Sequence, residues 1–287
     1  MFRKIFALVL AALMLCASAG AEVFFSQPPE EGWTENVLRI TGIPVAEGDA
    51  LLLECGGECM MVDGGPSARF HNLTAALEKR GITHFKYLLN THYHDDHING
   101  LYHLMKEGYT ADEYMHPYSD IMVRDDELES RTVEMAQKKG ITVHRLHTDD
   151  VITLGGATIT VFRHWDVPNA NARSLIEHVS FGEATAWLCA DITGKVQEIH
   201  AKNMPPELLK ADIMKAPHHG ITAVQTDFMD AVAPEFVLVT NHEEDAPNMK
   251  YQLETRGIPG LYCADGAVIM ETDGRDWYVW QEKDLEK

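Results

Sequence analysis

The sequence predicts an α/β protein: an αββα sandwich in which two mixed β-sheets pack face to face with helices outside. Two observations point there. Short strand patterns cluster in each half of the chain, with helical patterns between them. Three of the apolar strand patterns run straight into histidine or aspartate, which puts ligand-type side chains at the carboxyl ends of strands, where open α/β sheets hold their ligands. A chain of 287 residues can bury a large core as one domain, expected to span residues 32–287.

The amino terminus is expected to be a separate, removable segment. "MFRKIFALVLAALMLCASAGA" carries Arg3 and Lys4, then an apolar run from Ile5 to Cys16, then small residues. That order is the one of a secretory signal peptide over residues 1–21, with candidate cuts after Ala19 or Ala21. The apolar run is short for a membrane span. The mature chain is therefore expected outside the cytoplasm, secreted, periplasmic or at the cell surface, with no stable span after cleavage. Export bears on the cysteines. Cys55 and Cys59 flank a Gly56-Gly57 turn, and the sequence is equally compatible with a disulfide across it and with two free thiols.

From residue 36 onward, "NVLRITGIPVAEGDALLLECGGECMMVDGG" reads as short strands with glycine turns. "NLTAALEKRG" has helical spacing, stopped at Gly81. "FKYLLN" is a short apolar run of the buried-strand type; it feeds "THYHDDHING", and a helix opens in "INGLYHLMKEG". "VRDDELESRTVEMAQKKG" is a charged surface helix and "ITVHRLH" a strand. "VITLGGATITVFRHW" and "SLIEHVSFGEATAWLCADIT" are strand pairs turning at Gly155-Gly156 and Gly182-Glu183. "ADIMKAPHHG" is a strand ending in two histidines. "TAVQTDFMDAVAP" and "MKYQLETRG" are helices around the strand "EFVLVTN", and "GLYCADGAVIMETDGRDWYVW" closes with strands.

Charge narrows the partners. The formal net charge is −20, and no basic stripe of the kind that holds long nucleic acid is present. A small molecule or a phosphodiester is the expected substrate, with nucleic acid disfavoured.

The chemistry concentrates in "THYHDDHING". His92 and His94 are two apart and point the same way on an extended segment; Asp96 and His97 follow where the helix opens. Imidazole and carboxylate suit Zn²⁺, and also Mn²⁺ or Fe²⁺. "WLCADI" delivers Asp191 and "ADIMKAPHHG" delivers His218 and His219. His242, at the end of "FVLVTNH", also follows a strand. His116, after "ADEYM", is a candidate substrate contact. His71, His103, His144, His147, His164, His178 and His200 lack a ligand-like context and read as ordinary surface or core histidines.

In these motifs the chain resembles the metallo-β-lactamase fold superfamily. "HYHDDH" matches its His-x-His-x-Asp-His mark; "MVDGG" with Asp63 is similar to its first motif, an Asp that braces the metal loop from behind; and "LCADI" with Asp191 is similar to the carboxylate bridging two metals. Gly48-Asp49-Ala50, Asn171 to Ser174 and His218-His219-Gly220 follow the order seen in the hydrolase domain of competence-type DNA-uptake channels, and cell-wall phosphorylcholine esterases have a similar His-His-Gly. Two departures stand out. Asn171 occupies the place near which β-lactamases carry a third-motif histidine, and Ala246-Pro247 stands where the subgroup has His-Pro.

The resemblance implies two divalent ions. One is expected on His92, His94 and a member of the His218-His219 pair; the other on Asp96, His97 and His242, with Asp191 between them. Such a pair lowers the pKa of a bridging water from ~15.7 toward ~7, and the resulting hydroxide attacks phosphorus or a carbonyl carbon. Asp96, Asp191 and His219 are the residues expected to carry catalysis, the spare histidine of the pair protonating the leaving group. The expected function is an exported metal-dependent hydrolase acting on a phosphodiester of DNA or of the cell envelope. The alternatives are a β-lactamase or lactonase, and a metal-binding domain without catalysis.

Overall fold

The computed structural model describes residues 21–29, 36–167 and 169–283. Apart from Ala21, the expected leader lies outside them, and among the described residues no helix is long and apolar enough to cross a membrane.

The chain builds one sheet, then the other, and returns. Strands β1 (Val23–Phe24), β2 (Leu38–Gly42), β3 (Leu51–Cys55), β4 (Glu58–Val62), β5 (His84–Leu89), β6 (Thr110–His116) and β7 (Thr142–Arg145) enter the first sheet. Strands β8 (Val151–Leu154), β9 (Ala157–Phe162), β10 (Ile176–Phe181), β11 (Ala184–Leu188), β12 (Ile213–Lys215), β13 (Phe236–Val239) and β14 (Gly260–Tyr262) form the second. β15 (Ala267–Thr272) and β16 (Trp277–Glu282) come back to the first. The orders are β1-β16-β15-β2-β3-β4-β5-β6-β7 and β14-β13-β12-β11-β10-β9-β8. The packed chain thus reaches back past residue 32: β1 pairs parallel with β16, Val23 opposite Trp277, and Ala21 is buried.

Alternation explains the layers. In β3, Leu51 and Leu53 face the second sheet while Leu52 faces out; in β4, Met60 and Val62 face in and Met61 out. Both faces are buried because helices cover the outside. Over the first sheet lie α1 (Phe70–Lys79), α2 (Asp95–Glu107) and, after the short α3 (Asp120–Asp125), α4 (Glu127–Lys138), against which α3 packs; over the second lie α5 (Gly194–Asn203), α6 (Pro206–Leu209), α7 (Thr226–Val232) and α8 (Pro247–Arg256). The charged helix expected after "VRDD" is split at Asp126, whose side chain accepts from Glu129 N and so starts α4.

The cysteine question is decided by register. Cys55 pairs with Glu58 and Cys59 with Glu54. A one-residue offset turns the two thiols to opposite faces of the sheet. Cys55 packs between the sheets, where its Sγ accepts from Gly156 N at 3.3 Å, while Cys59 packs under the helices. Both are free.

Strands β4, β5 and β6 are parallel in one sheet, and β11, β12, β13 and β14 in the other. Their carboxyl ends share one edge of the sandwich, and the ligand-bearing segments emerge there.

A candidate two-metal centre

Three segments converge at that edge. The loop after β5 carries His92 and His94 and runs into α2, whose first turn presents Asp96 and His97. β11 leads to Asp191, and β12 to His218 and His219. The backbone is forced into place: Asp63, Ala190, His218 and His219 all have positive φ, at 54°, 39°, 51° and 53°. Such conformations cost about 1–3 kcal/mol each and persist where surroundings over-determine them. Gly64 and Gly100 allow the Asp63 loop to press against α2; a Cβ on Gly100 would lie 1.9 Å from Gly64 O.

Asp191 sits between two donor groups. Its Oδ2 is 3.7 Å from His92 Nε2 and 3.7 Å from His218 Nε2. Its Oδ1 is 3.3 Å from both His97 Nε2 and His219 Nε2. Asp96 Oδ2 completes the second group, 3.2 Å from His219 Nε2 and 3.8 Å from His97 Nε2. His94 packs edge-on to His92, ring centroids 4.6 Å apart, and His92, His94 and Asp191 are close enough to hold one ion.

The residues fit a pair of cations. Each inner imidazole is anchored through Nδ1, leaving Nε2 turned to the centre. His97 Nδ1 is 2.7 Å from Asp63 Oδ2, His219 Nδ1 is 3.1 Å from both Asp49 Oδ1 and Thr240 Oγ1, and His92 Nδ1 is 3.1 Å from Thr91 Oγ1. His97 Nε2 and His219 Nε2 then face each other at 3.3 Å, a repulsive meeting of lone pairs unless positive charge lies between them. His92 Nε2 and Asp191 Oδ1 are buried with no hydrogen-bond partner, a cost of about 1–3 kcal/mol each that a bound cation removes.

The field agrees. Burial pushes the His97 pKa down, but the Asp191 and Asp63 carboxylates outweigh it and raise it to about 10; burial opposes and the Asp191 and Asp49 charges raise His219 as well. Burial, helped by the neighbouring His97 and His94 charges, holds His92 well below its ordinary value. Burial pushes Asp96 up, yet its bond to His219 and the histidine charges bring it to about 2. The carboxylates therefore gather a cation at this spot, a proton or a metal ion.

Asp49 also lies within reach of this group, but on the Nδ1 side of His219, and Lys215 Nζ already sits 2.5 Å from its Oδ2. A position filled by an ammonium is a brace. Asp49, Lys215 and Thr240 were hidden as site residues in the sequence, although each stands within the resembled motifs or at the end of a strand.

The structure does not bring His242 to the centre. It is 39% exposed, with Nδ1 4.0 Å from Asp265 Oδ1; His219 takes the place expected for it. Of the pair, His219 is wholly buried while His218 is 32% exposed, so His218 alone can meet a substrate. Asn171 Nδ2 lies 3.1 Å from His218 Nε2, and Asp63 accepts from Thr91 N, Thr91 Oγ1 and Asn90 Nδ2 besides His97. His116 is enclosed against Glu129, its Nδ1 3.2 Å from Oε1, which removes it as a substrate contact.

Comparison with known proteins agrees with this geometry. The metallo-beta-lactamase fold protein YhfI from Bacillus subtilis superposes with a TM-score of 0.56 at 15% identity, covering 82% of this chain and 100% of its own. CmlA, a diiron beta-hydroxylase from Streptomyces venezuelae, gives 0.53 at 15% identity and 84% coverage; this chain spans 54% of its length. These likenesses are of fold. No curated protein matches the chain. Residues 43–233, two-thirds of the sequence and all of the segment from just before β3 to past His219, match the metallo-beta-lactamase superfamily. The chain belongs to that superfamily, and its fold and donor cluster are those of a metal-dependent hydrolase.

Proposed function

We propose that the protein is an exported two-metal phosphodiesterase whose substrate is a phosphodiester of the cell envelope or DNA. The observation that carries this reading is Asp191, which turns one oxygen to each of two donor groups. His92, His94 and Asp191 would hold one divalent ion and Asp96, His97, His219 and Asp191 the other, which leaves His218 free to act as an acid. Such a pair, when bound, supplies Lewis acidity at phosphoryl oxygens and a water of lowered pKa.

The chain's own residues do the rest. Asp63 and Asp49 fix the tautomer and angle of His97 and His219. His218, half-open beside Asp191, holds a proton at Nε2 for the leaving oxygen. Asn171 suits both of its states: the amide Nδ2 donates to the neutral ring, and the amide Oδ1, buried without a partner, accepts from the protonated ring after a flip. The motif order shared with competence-type hydrolase domains supports a phosphodiester; the net charge of −20 favours a short or small one over long nucleic acid.

The test is a side-by-side assay of bis(p-nitrophenyl) phosphate, nitrocefin and a lactone with the metal-loaded chain. Phosphodiester turnover without nitrocefin cleavage is the expected result. Nitrocefin or lactone cleavage without phosphodiester turnover would overturn the proposal, and full metal occupancy with no turnover of any of the three would favour a binding domain.

A further inference from the structure

Away from this centre, two histidines with no ligand-like sequence context meet a methionine. His200 lies on α5 and Met204 follows one turn later at its carboxyl end, so the two share a helix face. His200 Nδ1 is 2.8 Å from Met204 Sδ. His164, just past β9, sets its ring 4.6 Å from that of His200 at 61°, the spacing and tilt of the His92–His94 pair, 4.6 Å and 67°. His200 is buried, and its Nε2 has no hydrogen-bond partner. The three side chains line a cavity of about 360 Å³ with Phe162, Arg163 and the exposed Asp149.

Two neutral imidazoles and a thioether make a soft donor set. Burial keeps both rings unprotonated at neutral pH, pushing His200 down to about 3 and lowering His164. None of the three donor side chains carries a negative charge to offset a doubly charged ion, which favours a singly charged one. We propose that His164, His200 and Met204 form a second, separate metal site for a soft monovalent cation, copper(I). Bonds of about 2.0 Å to nitrogen and about 2.3 Å to sulfur place two such donors roughly 3.5 Å apart around an ion. Met204 Sδ must therefore draw back from its present contact, which a three-torsion side chain does at little cost. The ion would tie α5, which begins just after Asp191, to the segment that leads from β9 to Asn171, and so would clamp both flanks of the hydrolytic centre.

Silver(I) is the probe, being soft, monovalent and inert to oxidation. The full exported chain is loaded with zinc first, in a Cys59→Ser background, because the half-buried Cys59 thiol is a competing soft donor. Calorimetric titration is expected to show one equivalent of silver bound with zinc content unchanged. Met204→Leu, which keeps the volume, should weaken silver binding at least tenfold, and His200→Phe should abolish it. Silver should raise the melting temperature of the parent and leave that of Met204→Leu unmoved. Equal affinity in the parent and Met204→Leu would overturn the site even if His200→Phe failed to fold. So would zinc released one for one, or no silver uptake at all.

Discussion

Lys215 Nζ meets Asp49 Oδ2 at 2.5 Å, and neither side chain shares its charge with solvent. The same ammonium donates to Ala190 O at 2.9 Å, the carbonyl just before Asp191. Asp49 Oδ1 in turn receives Thr240 Oγ1 at 2.6 Å and faces His219 Nδ1. One buried cation thus braces the Asp191 loop on one side and, through Asp49, the His219 imidazole on the other. Burial pushes the Asp49 carboxyl up, but the Lys215 charge and the facing histidines hold it well below the usual carboxylate range.

Lys215→Met is therefore expected to cost about 3–5 kcal/mol, because it leaves a buried carboxylate without its counter-charge. Urea unfolding measures the loss. Adding Asp49→Asn to Lys215→Met should recover much of it, since the stranded charge is then gone. A single variant as stable as the parent would show that Asp49 does not depend on Lys215.

Asp63→Asn tests the brace behind His97. Asp63 takes four hydrogen bonds, from Asn90, from Thr91 twice and from His97. An amide cannot accept them all or fix the His97 tautomer as a carboxylate does. Metal affinity is expected to fall about 10–100-fold, read by competition with a chromophoric chelator, while the circular dichroism spectrum is retained. Unchanged affinity would reduce Asp63 to a loop anchor.

Asp191→Ala removes the one side chain shared by both donor groups. Metal content should fall from two ions per chain to one or fewer, and phosphodiester turnover should vanish with it. Elemental analysis of the purified variant decides this apart from any assay, and two retained ions would exclude the bridging role.

The sandwich was legible because strand and helix periodicities alternate clearly, and because the segments ending in His92, Asp191 and His218 carry their chemistry at strand ends. What was not legible was set by register and loop closure. Nothing local in "NH" at residues 241–242 says that the chain turns His242 outward toward Asp265, or that consecutive left-handed residues let both His218 and His219 face the centre. His116 failed for a related reason: its strand position was readable, but its enclosure by α4 and Glu129 is a tertiary fact. Lys215 is the sharpest case, since a lysine at a strand end reads as solvent-exposed until the topology closes over it.

The thiols give a simple check on register. With Cys55 and Cys59 on opposite sheet faces, alkylation of the unfolded, unreduced chain should label every cysteine. Prior reduction should leave the mass unchanged, and the melting temperature should not respond to dithiothreitol. A mass gain that appears only after reduction would mean that the β3–β4 register is wrong.

The buried pair of Glu129 and His116 makes the last prediction, on pH. Burial pushes the Glu129 carboxyl up to about 8 and pushes the facing His116 down to about 4. The folded pair then keeps one proton between those values. The unfolded pair, at the ordinary 4.5 and 6.5, holds two protons below pH 4.5, one between, and none above 6.5. Stability rises with pH only where the unfolded state holds more protons. The pair therefore contributes no slope from 4.5 to 6.5, and its stabilisation is lost as pH climbs from 6.5 to about 8. Glu129→Gln keeps the shape and cannot ionise. Its upper loss should disappear, while a new loss, from His116 alone, should appear as pH falls from 6.5 toward 4. Urea titrations of parent and variant across this range isolate the difference, because the other titrating groups are common to both. Parallel profiles would mean that Glu129 is ionised in the fold and paired with a charged His116.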